Sequence, residues 1–266
     1  VKVQAETAIN KTATVSNDST IETDTAAISS SFGDFSASAK GEEKFYTLEN
    51  ELIKLTISSK GGRIYSAQLK NYKTHDTLPL ILFDAEESSM GFTLVTKNNR
   101  VLNSKDLYFE PVSTVTKDAS GNQTLIMRLK TTGTAYMDFA YTLPAKNYML
   151  SFGIKANGMN AVMPAGINSL DMQWSSKIRQ QEMSRSTENR YAAIEYKYVA
   201  DDVEKLSKSK NEEKELPNKV KWIAFKDQFF SSILIANQDF TSATLKSEVD
   251  ENETSKFLKA YIAEMT

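Results

Sequence analysis

One short segment constrains the fold of this 266-residue chain more than any other. Residues 53–57 alternate apolar and polar side chains, which is the two-residue period of a strand with one buried face. Gly61 and Gly62 follow, and two successive glycines favour the positive φ angles of a tight reversal. The pattern predicts a hairpin whose second strand returns through residues 65–69, with Tyr65, Ala67 and Leu69 on the apolar face.

The predicted hairpin sets the fold class because it is only marginally stable alone and needs a second sheet on its apolar face. Further along, residues 137–143 alternate in the same way and end at Pro144, which cannot donate a ladder hydrogen bond. Short strands with Gly, Asn or Pro at the breaks are typical of an antiparallel sandwich. The sequence therefore predicts an all-β fold with few short helices.

Three segments leave alternatives open. Residues 187–198 fit a short helix or a tyrosine-rich strand, and residues 257–265 fit a closing strand or an amphipathic helix. The densely charged residues 201–217 are predicted to form a solvated loop or helix.

Composition divides the chain and limits its partners. Residues 1–44 are rich in Ser, Thr and Ala and are predicted to be a linker or N-terminal extension, whereas residues 45–266 form the folded domain. The net charge of −2 and pI of about 5.7 provide no basic field for nucleic acid, which is therefore not expected as a partner. No apolar run approaches the roughly 20 residues that span a bilayer.

The residues that usually carry chemistry are sparse. The chain has a single histidine, His75, in a predicted polar loop, and it has no cysteine. A possible calcium loop at residues 250–261 fails because Ser255 and Tyr261 occupy the positions of the required glycine and bidentate acid. No phosphate-binding glycine motif occurs. We therefore expect no enzyme activity, no cofactor and no metal.

Two separated blocks of the sequence resemble a known family. They resemble, in order and spacing, the large periplasmic domain of the YidC family of bacterial membrane-protein insertases, in its Bacteroidetes form. The matching residues of the first block are Glu49–Leu52, Thr56, Gly61 and Gly62, and those of the second are Trp222, Ala224, Gln228, Phe229 and Phe230.

The resemblance implies a fold, a location and partners. It implies a twisted β-supersandwich related to galactose-mutarotase-like proteins, on the periplasmic side of the bacterial inner membrane, tethered by transmembrane helices outside this chain. It implies a non-catalytic interaction and scaffolding module for insertion and folding of membrane proteins. The implied partners, reached through the parent protein, are nascent membrane proteins and components of the Sec translocon.

The second block is the candidate interaction site. Phe229 and Phe230 cannot both point into one core from a regular strand, so one of them is available for another contact. Our hypothesis is that Trp222, Gln228, Phe229 and Phe230 bind a partner or couple the domain to its membrane helices. The alternative function suggested by the implied fold is a carbohydrate-binding or carbohydrate-active sandwich, which requires a cleft with convergent carboxylates and aromatic rings.

Overall fold

The computed structural model describes residues 27–200 and 202–266, so most of the predicted N-terminal linker lies outside the described residues. Residues 27–32 are helical and continue into a 3-10 turn, Gly33–Ser38, whose Phe35 is fully buried. The phenylalanine joins this end of the described chain to the domain core. The division at residue 44 itself stays a prediction.

Nearly all other regular structure is β-strand, as the alternation predicted. The strands are, in chain order, β1 (Phe45–Glu49), β2 (Ile53–Ser58), β3 (Ile64–Lys73), β4 (Pro79–Phe83), β5 (Ser88–Val95), β6 (Val101–Asn103), β7 (Glu110–Pro111), β8 (Thr116–Lys117), β9 (Gln123–Lys130), β10 (Tyr136–Leu143), β11 (Ser151–Asn157), β12 (Met172–Arg179), β13 (Ala193–Tyr198), β14 (Val203–Lys205), β15 (Glu212–Leu216), β16 (Val220–Lys226), β17 (Ser231–Phe240), β18 (Ala243–Val249) and β19 (Phe257–Met265). The short helical segments besides the first are Ala85–Glu87, Ser104–Asp106, Met159–Ala161 and Arg185–Asn189.

The strands form four sheets in which every pairing is antiparallel among the described residues. Sheet 1 has the order β1-β2-β3-β4, and sheet 2 has the order β11-β10-β9-β7 with β8 also on β9. Sheet 3 has the order β15-β18-β19-β12-β5-β6, and sheet 4 has the order β14-β13-β16-β17. The predicted all-β antiparallel fold class is confirmed.

Aromatic side chains join the sheets into one core. Trp174 of β12 stacks on Phe225 of β16 with ring centroids 3.7 Å apart, and Tyr261 of β19 lies 5.4 Å from Phe225. These rings bind sheet 3 to sheet 4. At the other end of sheet 3, Phe92 of β5 lies 5.3 Å from Phe139 of β10 and thereby connects sheet 3 with sheet 2.

The opening hairpin pairs residues 53–57 with residues 64–69, and its register differs from the prediction at one residue. Ile53 lies opposite Leu69, but the register shifts after Thr56 so that Ile57 faces Ile64. Tyr65 is the extra residue of this bulge, and its ring packs on the exposed Phe45 at 4.7 Å. The prediction of Tyr65 on the buried face was therefore wrong, because the bulge takes Tyr65 out of the alternation that the buried Ala67 and Leu69 follow.

Both glycines of the reversal have a steric reason to be glycine. Gly61 and Gly62 have φ angles of +79° and +59°. A Cβ atom on Gly62 would lie 2.9 Å from the ring of Phe109. The Gly61 N–H donates to the carbonyl of Leu107 at 2.8 Å, and the hydroxyl of Tyr141 donates to the carbonyl of Gly62. The turn is thus fixed against sheet 2 as well as within sheet 1.

The open alternatives are resolved by the structure. The segment 187–198 contains both of the predicted forms, because it begins in the helix Arg185–Asn189 and ends in the strand β13. Residues 257–265 form a strand. The prediction of a loop or helix over residues 201–217 was wrong, because β14 and β15 lie at sheet edges, where charged side chains remain in water and block further pairing.

We predict that Gly62→Ala lowers the free energy of unfolding by roughly 1–3 kcal/mol, the usual cost of a non-glycine residue in a disfavoured backbone conformation. The added methyl group also meets the Phe109 ring. Chemical denaturation measures the change. Gly133→Ala is the control, because its nearest neighbour would be the Thr131 hydroxyl at 3.9 Å and its φ is not positive. Equal stability of the two variants would contradict this account of the turn.

Candidate interaction surface

The second sequence block forms the hairpin of β16 and β17, at one side of sheet 4. Phe225 and Ile223 point into the core and are almost completely buried. Because side chains alternate along a strand, Trp222 and Ala224 must point to the opposite, outer face of the sheet. Trp222 is only partly buried there.

The outer face of this hairpin carries an apolar strip. Ile235 lies directly opposite Trp222, and Ile233 lies directly opposite Ala224. Ile233 and Ile235 are 50% and 44% exposed. We call Trp222, Ile233 and Ile235 the outer strip. The sequence analysis named Trp222 but not the two isoleucines, which the register of β17 against β16 places on the same face.

The turn between the two strands presents the remaining candidate residues. The N–H of Asp227 donates to the carbonyl of Phe230 at 2.8 Å, which closes a tight turn with Gln228 and Phe229 at its tip. Phe229 is 67% exposed, whereas Phe230 is partly buried edge-to-face against Tyr72 at 5.1 Å. The two phenylalanines therefore have different environments: Phe230 attaches the turn to sheet 1, and Phe229 faces solvent.

A buried pair of carboxyl groups lies beneath this turn. Asp227 and Glu188 are within hydrogen-bonding reach, and Glu188 is fully buried. The Glu188 carboxylate accepts from the N–H groups of Gln181 and Glu182 at 2.8 and 3.1 Å. Because Oδ1 of Asp227 has no hydrogen-bond partner among the described residues, we assign the proton that the pair shares to Asp227. Burial, and after it the hydrogen bond to Glu188 and the charge of Glu188, raise the pKa of Asp227 to about 8.

The helix that carries Glu188 is held by a buried lysine. Nζ of Lys259 donates to the carbonyls of Ala192 and Lys208 at 2.6 Å each and of Asn189 at 3.2 Å. Burial lowers the pKa of Lys259 to about 8. Asn189 ends the helix, Ala192 follows it, and Lys208 lies in the loop between β14 and β15. By bonding to all three carbonyls, Lys259 fixes the position of Glu188 below the turn.

The structure offers little for acid–base or metal chemistry. His75 is exposed, and its Nδ1 lies 3.1 Å from the carbonyl of Gln181. Among the described residues, no group of three or more His, Cys, Asp or Glu is arranged to hold a metal ion. None of the helices in the described part of the chain is both long and apolar enough to cross a bilayer.

Two clefts formed by the described residues do not have the features that the carbohydrate alternative requires. A cleft of about 420 Å³ beside the end of β19 contains Asp171 and Glu264, and the described residues that line it include no aromatic ring. Both carboxylates are already engaged, since Thr266 donates to Asp171 at 2.7 Å and Gln173 donates to Glu264 at 2.8 Å. A second cleft of about 460 Å³, next to residues 166–171, has no aromatic ring in the part of its wall that the structure describes.

The buried acid pair makes stability depend on pH. The unfolded aspartate titrates near pH 3.9, whereas the folded Asp227 titrates near pH 8. Between these values the unfolded carboxyl is ionised and the folded one is protonated, so this group lowers the free energy of unfolding by about 1.4 kcal/mol per pH unit. Its stabilising contribution is complete below about pH 4 and is lost as the pH rises to about 8.

We predict that Asp227→Asn removes this pH dependence, because the amide still donates to Glu188 but does not titrate. Denaturation between pH 4 and 8 should show the variant gaining stability relative to the unmodified chain as pH rises. Asp106→Asn, a change at an exposed aspartate, is the matched control. Parallel profiles for the unmodified chain and Asp227→Asn would show that Asp227 does not hold the proton.

Comparison with known proteins gives consistent matches over most of the chain. The family described as the YidC periplasmic domain matches residues 46–266. The membrane protein insertase YidC of Parabacteroides distasonis is 45% identical over 230 residues, which cover 86% of this chain and 36% of that protein. The corresponding protein of Phocaeicola vulgatus is 38% identical over 99% of this chain and 39% of its own length. The chain thus spans little more than a third of the length of these curated relatives.

Solved structures give a weaker likeness. A galactose mutarotase-like protein from Lactobacillus casei has a TM-score of 0.45 and 12% identity, with 83% of this chain and 87% of that chain covered. A putative aldose 1-epimerase from Escherichia coli K12 has a TM-score of 0.38 and 11% identity, with 84% and 88% covered. At these scores the likeness adds nothing to the fold assignment, which rests on the sheets themselves.

The resemblance carried by the two sequence blocks is confirmed by these matches. The two blocks lie within the matched residues 46–266 and within an all-β chain. Together with relatives at 38–45% identity over most of the chain, this match shows that the chain belongs to the family of YidC periplasmic domains.

Proposed function

We propose that this chain is the non-catalytic interaction and scaffolding domain of a membrane-protein insertase. The observation that carries the proposal is the family match over residues 46–266, with relatives of 44–45% identity that are themselves named membrane protein insertases. In the proposed setting the domain lies on the periplasmic side of the inner membrane and is tethered by transmembrane helices of the longer protein. Its contacts are with nascent membrane proteins and with the Sec translocon.

The distribution of apolar surface supports a role in contacts. Soluble domains bury most large apolar side chains, and exposed ones that cluster often mark interaction sites. On the β16–β17 hairpin, Phe229 at the tip and the isoleucines of the outer strip are about half exposed or more. The hairpin is also rigidly attached, through Phe225 in the core and Phe230 on Tyr72. A rigid hairpin with an exposed aromatic tip is suited to bind another protein surface.

The side chains of the described residues do not favour the carbohydrate alternative. Sugar chemistry at neutral pH needs a group that exchanges a proton near neutrality and faces the substrate. The buried Asp227 points into the protein below the hairpin, and the exposed His75 contacts a backbone carbonyl. We therefore propose contacts with proteins, without turnover.

We predict that Phe229→Ala in the full-length insertase reduces insertion of a model membrane protein while the free energy of unfolding of this domain changes by no more than about 0.5 kcal/mol. The ring is largely in water, so its removal leaves no cavity. Phe225→Ala, in contrast, should cost about 3–5 kcal/mol because the ring is buried against Trp174.

The matched control for the insertion assay is Val101→Ala. Val101 is 68% exposed, close to the 67% of Phe229, and lies on β6 at an edge of sheet 3. Insertion that is unchanged by Phe229→Ala, or reduced equally by Val101→Ala, would remove the turn from the proposed contact site. A large loss of stability in Phe229→Ala would mean that the ring supports the fold.

A further inference from the structure

The free edge of β17 differs from the other sheet edges of the described chain. An edge strand directs every second N–H and C=O away from its sheet, and proteins usually protect such edges with charge, proline or shortness. Here β4 begins at Pro79, β11 carries Lys155 and β15 carries three glutamates. The remaining edges have similar protection: β1 ends at Glu49, β6 and β14 have three residues each, and β7 and β8 have two.

β17 has none of these protections over most of its length. It is ten residues long and lies at the end of sheet 4 with β16 as its partner. The ten residues Phe229 to Gln238 contain no charged side chain and no proline. Outward-facing Ile233 and Ile235 are about half exposed, whereas the corresponding outward positions of β11 are Ser151, Gly153 and Lys155. An uncharged, apolar edge of this length is a template for another strand.

Lys221 limits the part of the β17 edge that is able to pair with another strand. After Ile235 the register against β16 breaks, and Nζ of Lys221 donates to the carbonyls of Ala236, Asn237 and Gln238 at 2.8, 3.0 and 2.8 Å. The regular part of the strand therefore runs from Ser231 to Ile235. A short extended segment of another chain could therefore pair along the residues from Ser231 to Ile235.

We infer that the β17 edge binds an extended, uncharged segment of a membrane-protein client, which adds to sheet 4 as a further antiparallel or parallel strand. This inference rests on the proposed insertase function. Main-chain hydrogen bonds would give affinity, and apolar side chains at alternate positions would lie along the outer strip. The lack of charge along Phe229 to Gln238 favours an uncharged client segment, because this strand offers no opposite charge to pair with a charged residue.

A second copy of this chain fits the surface less well. A stable dimer needs roughly 800 Å² of buried surface per partner. The outer strip and Phe229 provide four side chains that are already partly covered, along one short strand. Such an area is enough for a peptide that also forms main-chain hydrogen bonds, but it falls well short of a dimer interface.

The test is fluorescence anisotropy of a labelled, terminally capped eight-residue peptide that alternates Val and Thr, titrated with the purified chain. We expect binding to be roughly tenfold weaker for Ile233→Lys and for Ile235→Lys, because each places an unpaired charge at the contact. Val101→Lys is the matched control, since it adds the same charge to another exposed edge strand and should leave binding unchanged. Melting curves check that each variant is folded.

A second probe separates strand addition from general apolar adhesion. The same peptide with N-methyl groups on alternate residues keeps its side chains but loses the donors on one edge, and it should not bind. Equal binding of both peptides, or unchanged binding to Ile233→Lys, would overturn the inference. So would flotation of the chain with phosphatidylethanolamine–phosphatidylglycerol vesicles through Ile233, or self-association in sedimentation that Ile233→Lys abolishes.

The outcomes also separate this inference from the proposed function. If the peptide does not bind but Phe229→Ala still reduces insertion in the full-length protein, the insertase role stands and the strand-addition mode falls. If the peptide binds but insertion is independent of the hairpin, the edge exists as a binding site and the proposed role in insertion falls.

Discussion

The stacking of Phe225 on Trp174 determines how the rest of sheet 4 is arranged. With ring centroids 3.7 Å apart, the pair fixes which face of β16 is turned toward the core. Because side chains alternate along a strand, Trp222 then points to the outer face of the sheet. The cross-strand register places Ile233 and Ile235 on the same face. One core contact therefore fixes both the buried face of β16 and the side on which the apolar strip is exposed.

The turn of the same hairpin is held from below by polar interactions that are costly to build. A protonated Asp227 beside Glu188, and a Lys259 that is bonded to three backbone carbonyls, are all buried. Loss of one partner of such a buried polar group destabilises a protein, whereas the hydrogen bonds that are made here favour a single geometry. Phe229 is thus displayed at a rigid tip while its neighbour Phe230 is packed against sheet 1.

The sequence was informative where alternation was uninterrupted and where a steric requirement selected one residue type. The hairpin around Gly61 and Gly62 and the all-β class followed from these two signals. The bulge at Tyr65 could not be predicted, since one inserted residue changes the face of a side chain without changing the local pattern. Charged edge strands such as β15 were also missed, because at an edge the alternation of burial no longer requires an alternation of hydrophobicity.

The candidate site was only half visible from the sequence. Trp222 and the Phe229–Phe230 pair could be named from the family resemblance and from the impossibility of burying both rings, but nothing in the sequence distinguishes Ile233 and Ile235 from buried residues. Their exposure depends on which strand lies beside β17, and that is a property of the sheet order. The pairing of Asp227 with Glu188 could not be predicted from the sequence either, because the two residues are far apart along the chain. They meet because the helix Arg185–Asn189 packs below the hairpin turn.

We propose that the outer side of the β16–β17 hairpin is the surface through which this domain contacts other proteins. The most direct measurement is photo-crosslinking in the full-length insertase during synthesis of a defined single-spanning membrane protein. A benzoylphenylalanine would replace Ile235 in one strain and Gly153, on the outward side of the β11 edge, in another. We expect adducts with the nascent protein from position 235 and none from position 153. Adducts of equal yield from both positions, or none from position 235, would contradict the account.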